Sequence, residues 1–254
     1  MKSEKTAICN AFSRAASDYD SVATIQQQVA HDLASFIFNF IAPQTPRTCI
    51  DLGCGTGFLS QSLLGLYPTL QLTLNDLSSA MIQKATNAVL PGKRIETLEG
   101  DLETIQTDRT WDLVGSNFVW QWLENPQQAL KRWSAHSTDL ALALPLEGSF
   151  QEWKALYSQL ALPSRLRKLP TLEELHQWGQ ALDLAHFEIQ EKNYTQTFHS
   201  ALDFARQLKG TGASLSPSLI ASSSLRIIQK MKPAPFLVTW KVAFLACHSR
   251  SPRL

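Results

Sequence analysis

The residues with the most to say about chemistry lie in Thr48-Cys49-Ile50-Asp51-Leu52-Gly53-Cys54-Gly55-Thr56-Gly57-Phe58. An apolar run carrying a carboxylate leads there into a Gly-x-Gly-x-Gly turn and then into an amphipathic helical pattern. Glycines in such a turn let the backbone bend sharply and come close to a ligand. A dinucleotide-binding turn would want its third glycine one residue later, at Phe58, so that pyrophosphate could rest on the helix N-terminus. A carboxylate at Asp51 would repel pyrophosphate and suits a cation instead. S-Adenosylmethionine answers to that description, being a nucleoside without phosphates that carries an amino group and a sulfonium. Asp51, Gly53, Gly55 and Gly57 are therefore the first candidate cofactor residues.

Two further acids continue the set. In Leu72-Thr73-Leu74-Asn75-Asp76-Leu77-Ser78, Asp76 ends the next apolar run, where a carboxylate can accept both hydroxyls of a ribose. Turn chemistry is the alternative for Asp76, and a helix cap for Ser78. In Glu99-Gly100-Asp101-Leu102, Asp101 falls where an adenine amino group would arrive, with Leu77 and Leu102 on the ring faces. Ser116-Asn117-Phe118-Val119-Trp120-Gln121-Trp122 then follows the fourth apolar run, at the carboxyl edge where open α/β sheets bind ligands. Asn117 is expected on the cofactor and Trp120 on the acceptor, the alternative being that these aromatics only fill the core.

The elements that must position these groups alternate in a βαβ rhythm. Strands are expected at 47–52, 70–76, 94–99, 111–115 and 139–144, with helices at 58–66, 78–89 and 126–135 between them. Tyr67-Pro68 and Pro91-Gly92 mark helix stops. Two amphipathic stretches, 4–16 and 21–42, precede the first strand as a helical cap. After Pro145 the rhythm breaks. Helical segments at 150–160 and 171–182 lead to a strand at 187–198, and an excursion over 201–231 leads to a last strand at 236–247. One domain over 1–254 is expected, with 1–42 as the cap, 47–145 as the cofactor-binding core and 146–254 as lid helices and two strands.

Composition limits the alternatives. A chain of 254 residues that is 44% hydrophobic can bury a full core without disulfides or metal. Its four cysteines are scattered, as reduced thiols of a cytoplasmic protein would be, and no apolar stretch reads as a signal peptide or a membrane span. Six histidines lack the spacing of metal ligands, so no metal is expected, and no Gly-x-Ser-x-Gly elbow is present. The net charge of +1 gives no support to nucleic-acid binding. Its distribution is uneven, however. Residues 1–149 carry 10 Lys and Arg against 15 Asp and Glu, and residues 150–254 carry 13 against 7, or −5 and +6. A basic second half could face an acidic partner or merely be a solvated surface.

The glycine turn in its strand–turn–helix setting resembles motif I of the class I methyltransferases. Ala11-Phe12-Ser13-Arg14-Ala15-Ala16-Ser17-Asp18-Tyr19-Asp20, the 116–122 segment and Leu208-Lys209-Gly210-Thr211-Gly212-Ala213 extend the likeness beyond the cofactor core. Together they resemble the malonyl-acyl-carrier-protein O-methyltransferases of biotin synthesis. The resemblance implies a doubly wound, Rossmann-like α/β fold with a seven-stranded, mostly parallel sheet and an antiparallel last strand, plus the helical cap and an inserted helical lid. It also implies methyl transfer from S-adenosylmethionine, leaving S-adenosylhomocysteine, to the free carboxylate of malonyl-acyl-carrier protein or malonyl-CoA. Tyr19 and Arg14 would then fix the carboxylate's plane, unless Arg14 pairs with Asp18. Lys209 would approach the thioester or phosphopantetheine arm, and Arg165, Arg167 and Lys168 would dock an acidic carrier, with a solvated face the alternative for each. One departure is Ala135-His136-Ser137-Thr138-Asp139, where relatives carry an Arg-Pro-Lys-Gly turn. The competing expectations are a methyltransferase for another small acid or a quinone precursor, and a non-catalytic cofactor-binding partner protein.

Overall fold

The computed structural model describes residues 2–89, 95–162, 166–211 and 227–249, with side chains from Lys5 onward. Three helices come first: α1 (Lys2–Ala15), the single turn α2 (Tyr19–Val22) and α3 (Thr24–Ile41). Then β1 (Thr48–Leu52), α4 (Phe58–Leu66), β2 (Gln71–Asp76), α5 (Ser79–Ala88), β3 (Ile95–Glu99), β4 (Trp111–Asn117), α6 (Pro126–Ala135) and β5 (Ser137–Pro145) alternate as the apolar rhythm predicts. The last part holds α7 (Gln151–Gln159), α8 (Leu172–Gln180), β6 (Leu184–Phe198), α9 (Ala201–Gly210) and β7 (Phe236–Ser249).

The sheet runs β3-β2-β1-β4-β5-β7-β6, with β7 alone antiparallel to its neighbours. This is the expected seven-stranded, doubly wound arrangement. The order reverses between β1 and β4, so the crevice for a ligand lies beyond their carboxyl ends. Strands buried on both faces must be apolar nearly throughout, and β5 is, from Leu140 to Leu144. One face packs on α3, α4 and α7 through Leu33, Ile37, Leu63 and Trp153; the other packs on α6 and α8 through Leu130, Trp133 and Leu175.

Four strands, β4, β5, β6 and β7, run further than the sequence reading, while β1 and β2 start one residue later, α3 begins at Thr24 after the separate turn α2, and α8 ends at Gln180. β4 runs on to Asn117 and β5 starts at Ser137 because their parallel pairing continues from Trp111↔Ser137 to Asn117↔Ala143. The divergent segment after Ala135 is thus no loop: α6 passes through His136 directly into the strand. β6 starts at Leu184 because the edge ladder with β7 reaches that far. The 201–231 excursion is helical over α9; residues 212–226, with Gly212 and Ala213, lie outside the described residues, as does the turn at Pro91-Gly92.

Candidate active site

Two adjoining cavities open at the β1/β4 switch point. The smaller, about 100 Å³, lies against the glycine loop and the ends of β2 and β3. The larger, about 440 Å³, lies between α2, the end of β5, α7 and α9. Phe12, Tyr19, Phe118 and Trp122 line both and form the neck between them.

The smaller cavity is built by backbone. Gly53 and Gly55 follow β1 at φ +65° and +53°, a left-handed region that side chains rarely adopt. A Cβ on Gly53 would meet Val119 Cγ2 at 2.4 Å, whereas one on Gly55 would project into open space that a ligand can use. Asp76 fixes this loop: its Oδ2 accepts from Gly55 N at 3.0 Å and its Oδ1 from Ser78 N at 2.9 Å. Burial pushes the Asp76 pKa up and the backbone N–H groups pull against that rise. Ser78 also caps α5, accepting from Met81 N, so the cap and the turn chemistry expected there coexist with Asp76's place at the cavity wall.

Leu77, Asp101, Leu102 and Asn117 line the same cavity as Asp76. Asp101 Oδ1 accepts from Glu103 N, and its Oδ2 pairs with Lys5 Nζ at 2.5 Å. Asn117 donates from Nδ2 to Gln26 O, which leaves its Oδ1 buried and without a partner. A buried, unpaired acceptor costs about 1–3 kcal/mol, and a ligand N–H would relieve it. Gly57 does not line the cavity; at φ +91° it caps α4 and packs against Ala85.

Asp51 sits one layer deeper than its charge suggests. It is 1% exposed, lies outside the lining, and accepts from Ser60 Oγ at 2.6 Å. Burial raises its pKa to about 7 against the lowering effect of that hydrogen bond, with Asp76's charge adding to the rise.

The larger cavity is built by side chains from distant parts of the chain. Phe150, at φ +62°, directs its ring into it and is held edge-on by Trp240. Phe118, the other aromatic in this sparsely populated conformation, stands in the neck at φ +57°. Arg167 lies 5.2 Å over the Trp122 ring, within reach of a cation–π contact. Lys168 lines the cavity too and pairs with Glu174 at 3.3 Å. Tyr19 stands in the neck, and burial together with the charges of Asp76 and Asp20 pushes its phenol pKa up, so it stays protonated.

Three of the sequence-predicted residues point elsewhere. Arg14 is exposed on the outer face of α1 beside Ala7 and Asn10, because it lies about 200° round the helix from Phe12. No pairing of Arg14 with Asp18 replaces it among the hydrogen bonds and ion pairs of the described residues; Asp18 instead serves α2 through its backbone carbonyl. Trp120 is 2% exposed in the core, its Nε1 donating to Pro126 O. It opens a 3₁₀ turn in which successive side chains diverge by about 120°, so Gln121 and Trp122 reach the cavity instead. Lys209 is exposed in the last turn of α9, which continues through Gly210, while Leu208 and Thr211 face inward. Arg165 lies outside the described residues.

Several lining residues escaped the sequence reading. Lys5, Cys9 and Phe12 have a signal, a spacing of four and three that puts them on one face of α1. That face is docked by Cys9 Sγ on Leu77 O, Ser13 Oγ on Ser78 Oγ at 2.7 Å, and Lys5 on Asp101 and Glu103. Lys154, Phe150 and Trp240 have none, since only the docking of α7 on β7 brings them together.

The charges of the two cavities are opposite. The smaller is lined by Asp76, Asp101 and Glu103 against Lys5, for −2. The larger is lined by Lys154, Arg167 and Lys168 against Glu147, for +2. Among the described residues no cluster of three or more His, Cys, Asp or Glu could hold a metal. One His–acid pair does form that spacing did not announce, His248 Nδ1 with Asp139 Oδ1 at 2.9 Å across β5 and β7, at the far end of the strands from the glycine loop. No helix among the described residues is long and apolar enough to cross a membrane.

Comparison with known proteins settles the family. A malonyl-[acyl-carrier protein] O-methyltransferase of Neorickettsia risticii is 30% identical over 92% of this chain and 92% of its own length. The chain belongs to the malonyl-[acyl-carrier protein] O-methyltransferase family. The Methyltransferase domain family matches residues 49–138, the stretch from β1 to the start of β5. A biotin biosynthesis bifunctional protein of Bordetella avium is 30% identical over 81% of this chain and 43% of that longer protein. Among solved structures, the YcgJ protein of Bacillus subtilis shares the fold at a TM-score of 0.60, with 16% identity over 87% of this chain and 99% of that one. As a member of the family, the chain is an S-adenosylmethionine-dependent methyltransferase. The smaller cavity fits that cofactor: its lining is acidic overall, which suits a cationic ligand, with an unpaired acceptor at Asn117 and free space at Gly55.

Proposed function

We propose that the chain transfers the methyl group to the free carboxylate of a malonyl thioester, carried by acyl-carrier protein or coenzyme A, and so makes the malonyl methyl ester that starts the pimeloyl part of biotin. The observation that carries this reading is the neck: an acidic cavity and a basic cavity meet at Phe12, Tyr19, Phe118 and Trp122. A cationic donor and an anionic acceptor would each fill the side of matching charge and touch at one point.

On this reading Asp76 holds the ribose, Asp101 the adenine amino group, Leu77 and Leu102 the ring faces, and Asn117 Oδ1 the amino group. The bound cofactor supplies an electrophilic methyl on a sulfonium. The acceptor needs no general base, because a carboxylate with a pKa of about 4 is already ionised at neutral pH. The chain's task is to aim it and keep water out. Tyr19, protonated, donates one hydrogen bond to the carboxylate; Arg167, braced on Trp122, takes the cationic role expected of Arg14. Phe12, Phe118 and Trp122 close the neck against water. Acceptance by the carrier protein would draw on the basic face that includes Arg167 and Lys168.

The test is to incubate the protein with S-adenosylmethionine and malonyl-acyl-carrier protein and weigh the intact carrier. One added methyl on the malonyl-carrying species is expected. An unmodified carrier beside methylated free small acids would overturn the acceptor assignment.

A further inference from the structure

The acceptor cavity holds more positive charge than one carboxylate requires. Of its three cations, Lys168 is offset by Glu174, and Arg167 lies on Trp122 beside the neck. Lys154 remains. It is half-buried, lines the cavity, and has no ion-pair partner among the described residues. A cavity wall that presents an ammonium with no counter-charge is complementary to an anion that arrives with the ligand.

Lys154 lines the larger cavity only and is not among the four residues of the neck. It follows Phe150 by one helical turn, its N–H donating to Phe150 O at 3.0 Å. Phe150 in turn meets Trp240 edge-on and Phe204 at a tilt, in the apolar cluster of α9 and β7. The cavity thus has Trp122 and Arg167 beside the neck, aromatic walls at Phe150 and Trp240, and Lys154 on α7. At about 440 Å³ it is of the size that holds a drug-sized ligand, far more than a malonyl group fills.

We infer that Lys154 binds a second anion of the acceptor, the phosphate at the far end of a phosphopantetheine-type thioester arm, while the reacting carboxylate lies at the neck. The inference rests on the malonyl-thioester reading and adds to it a requirement the acceptor must meet. Lys154 is a positioning residue here: it sets how tightly the arm binds and leaves the chemical step alone.

The experiment compares S-malonyl-4′-phosphopantetheine with S-malonyl-pantetheine, which lacks only the phosphate, as acceptors for the wild-type protein, Lys154→Met and Lys154→Arg. A charge-assisted contact of about 1.5 kcal/mol predicts that the wild type shows about a tenfold lower KM for the phosphorylated acceptor at unchanged kcat. Lys154→Met should erase that preference without altering adenosylhomocysteine affinity, Lys154→Arg should keep most of it, and added salt should weaken it in the wild type and in Lys154→Arg. Equal KM values for the two acceptors in the wild type, or a preference that survives in Lys154→Met, would overturn the inference while the malonyl reading stands. Methylation of neither acceptor by the wild type would overturn this inference, and failure to methylate malonyl-acyl-carrier protein as well would remove the malonyl reading with it.

Discussion

The two cavities that meet at Tyr19 are made in different ways. The cofactor cavity takes its shape from chain that is close in sequence to the strand ends: Gly53 and Gly55 after β1, Asp76 and Leu77 at the end of β2, Asp101 after β3, Asn117 ending β4. Its charge is held by backbone, since two N–H groups fix both oxygens of Asp76. The larger cavity, the proposed acceptor site, takes its shape from side chains on α1, α2, α7, α9, β7 and the 166–169 segment, and its charge sits on Lys and Arg at the ends of flexible stems. A backbone-built site tolerates little change, whereas a side-chain-built site can be altered residue by residue. That is the arrangement a family needs if it shares a cofactor and varies an acceptor.

The comparison predicts that single substitutions will separate the two functions. The largest effect is expected from Asp76→Ala, which removes the acceptor of two backbone N–H groups as well as the proposed ribose contact. At about 1.5–3 kcal/mol for each charged hydrogen bond, adenosylhomocysteine affinity measured by calorimetry should fall by about 100-fold or more. Unchanged affinity would refute the ribose role and the idea that this cavity is fixed by its backbone. Next comes Arg167→Ala, expected to lower kcat/KM for the malonyl acceptor about thirtyfold, the order of one charge-assisted contact, with cofactor affinity intact. Arg14→Ala, on the outer face of α1, should stay within about twofold. If Arg14→Ala is the damaging change of the two, the cation has been placed on the wrong element.

Tyr19→Phe should be milder than Arg167→Ala. Losing one hydrogen bond from an uncharged donor to the carboxylate costs about 1.5 kcal/mol, so kcat should drop about tenfold in steady-state kinetics while cofactor affinity holds. A fall in cofactor affinity with unchanged kcat would move Tyr19 from the neck to the cofactor side.

The difference between the cavities also explains which parts of the molecule were legible in the sequence. Strand ends and glycine turns announce themselves locally, so Gly53, Gly55, Asp76, Leu77, Asp101, Leu102 and Asn117 were read from the chain and fall together in the structure. The sheet followed from the same alternation of apolar runs, and its boundaries erred chiefly where pairing carried β4, β5, β6 and β7 further than their composition suggested. Acceptor residues depend on the direction a helix presents. Arg14 and Phe12 are two residues apart and face opposite ways; Trp120 and Trp122 share a 3₁₀ turn and only one reaches the cavity. Lys154 could not be found without knowing how α7 lies on β7, a contact between residues about 87 positions apart that Glu152 makes by accepting from Thr239 N and Oγ1.

The smallest expected effect concerns the floor beneath the cofactor cavity. Asp51 carries a folded-state pKa of about 7, raised chiefly by burial, against an ordinary carboxylate value of 3.8. Between those two values the folded protein binds a proton that the unfolded chain has lost, so stability falls as pH rises through that window and levels off above it. The slope from this one group is at most about 1.4 kcal/mol per pH unit, and about half that near its midpoint. Asp51→Asn should flatten the decline between about pH 5 and 7 in chemical denaturation of the protein without cofactor, because an amide can still accept from Ser60 Oγ and has no charge to bury. A wild-type protein whose stability rises over that range, with Asp51→Asn following the same curve, would mean that the carboxylate is ionised in place. The cofactor cavity would then owe its acidity to Asp51 as much as to Asp76, Asp101 and Glu103.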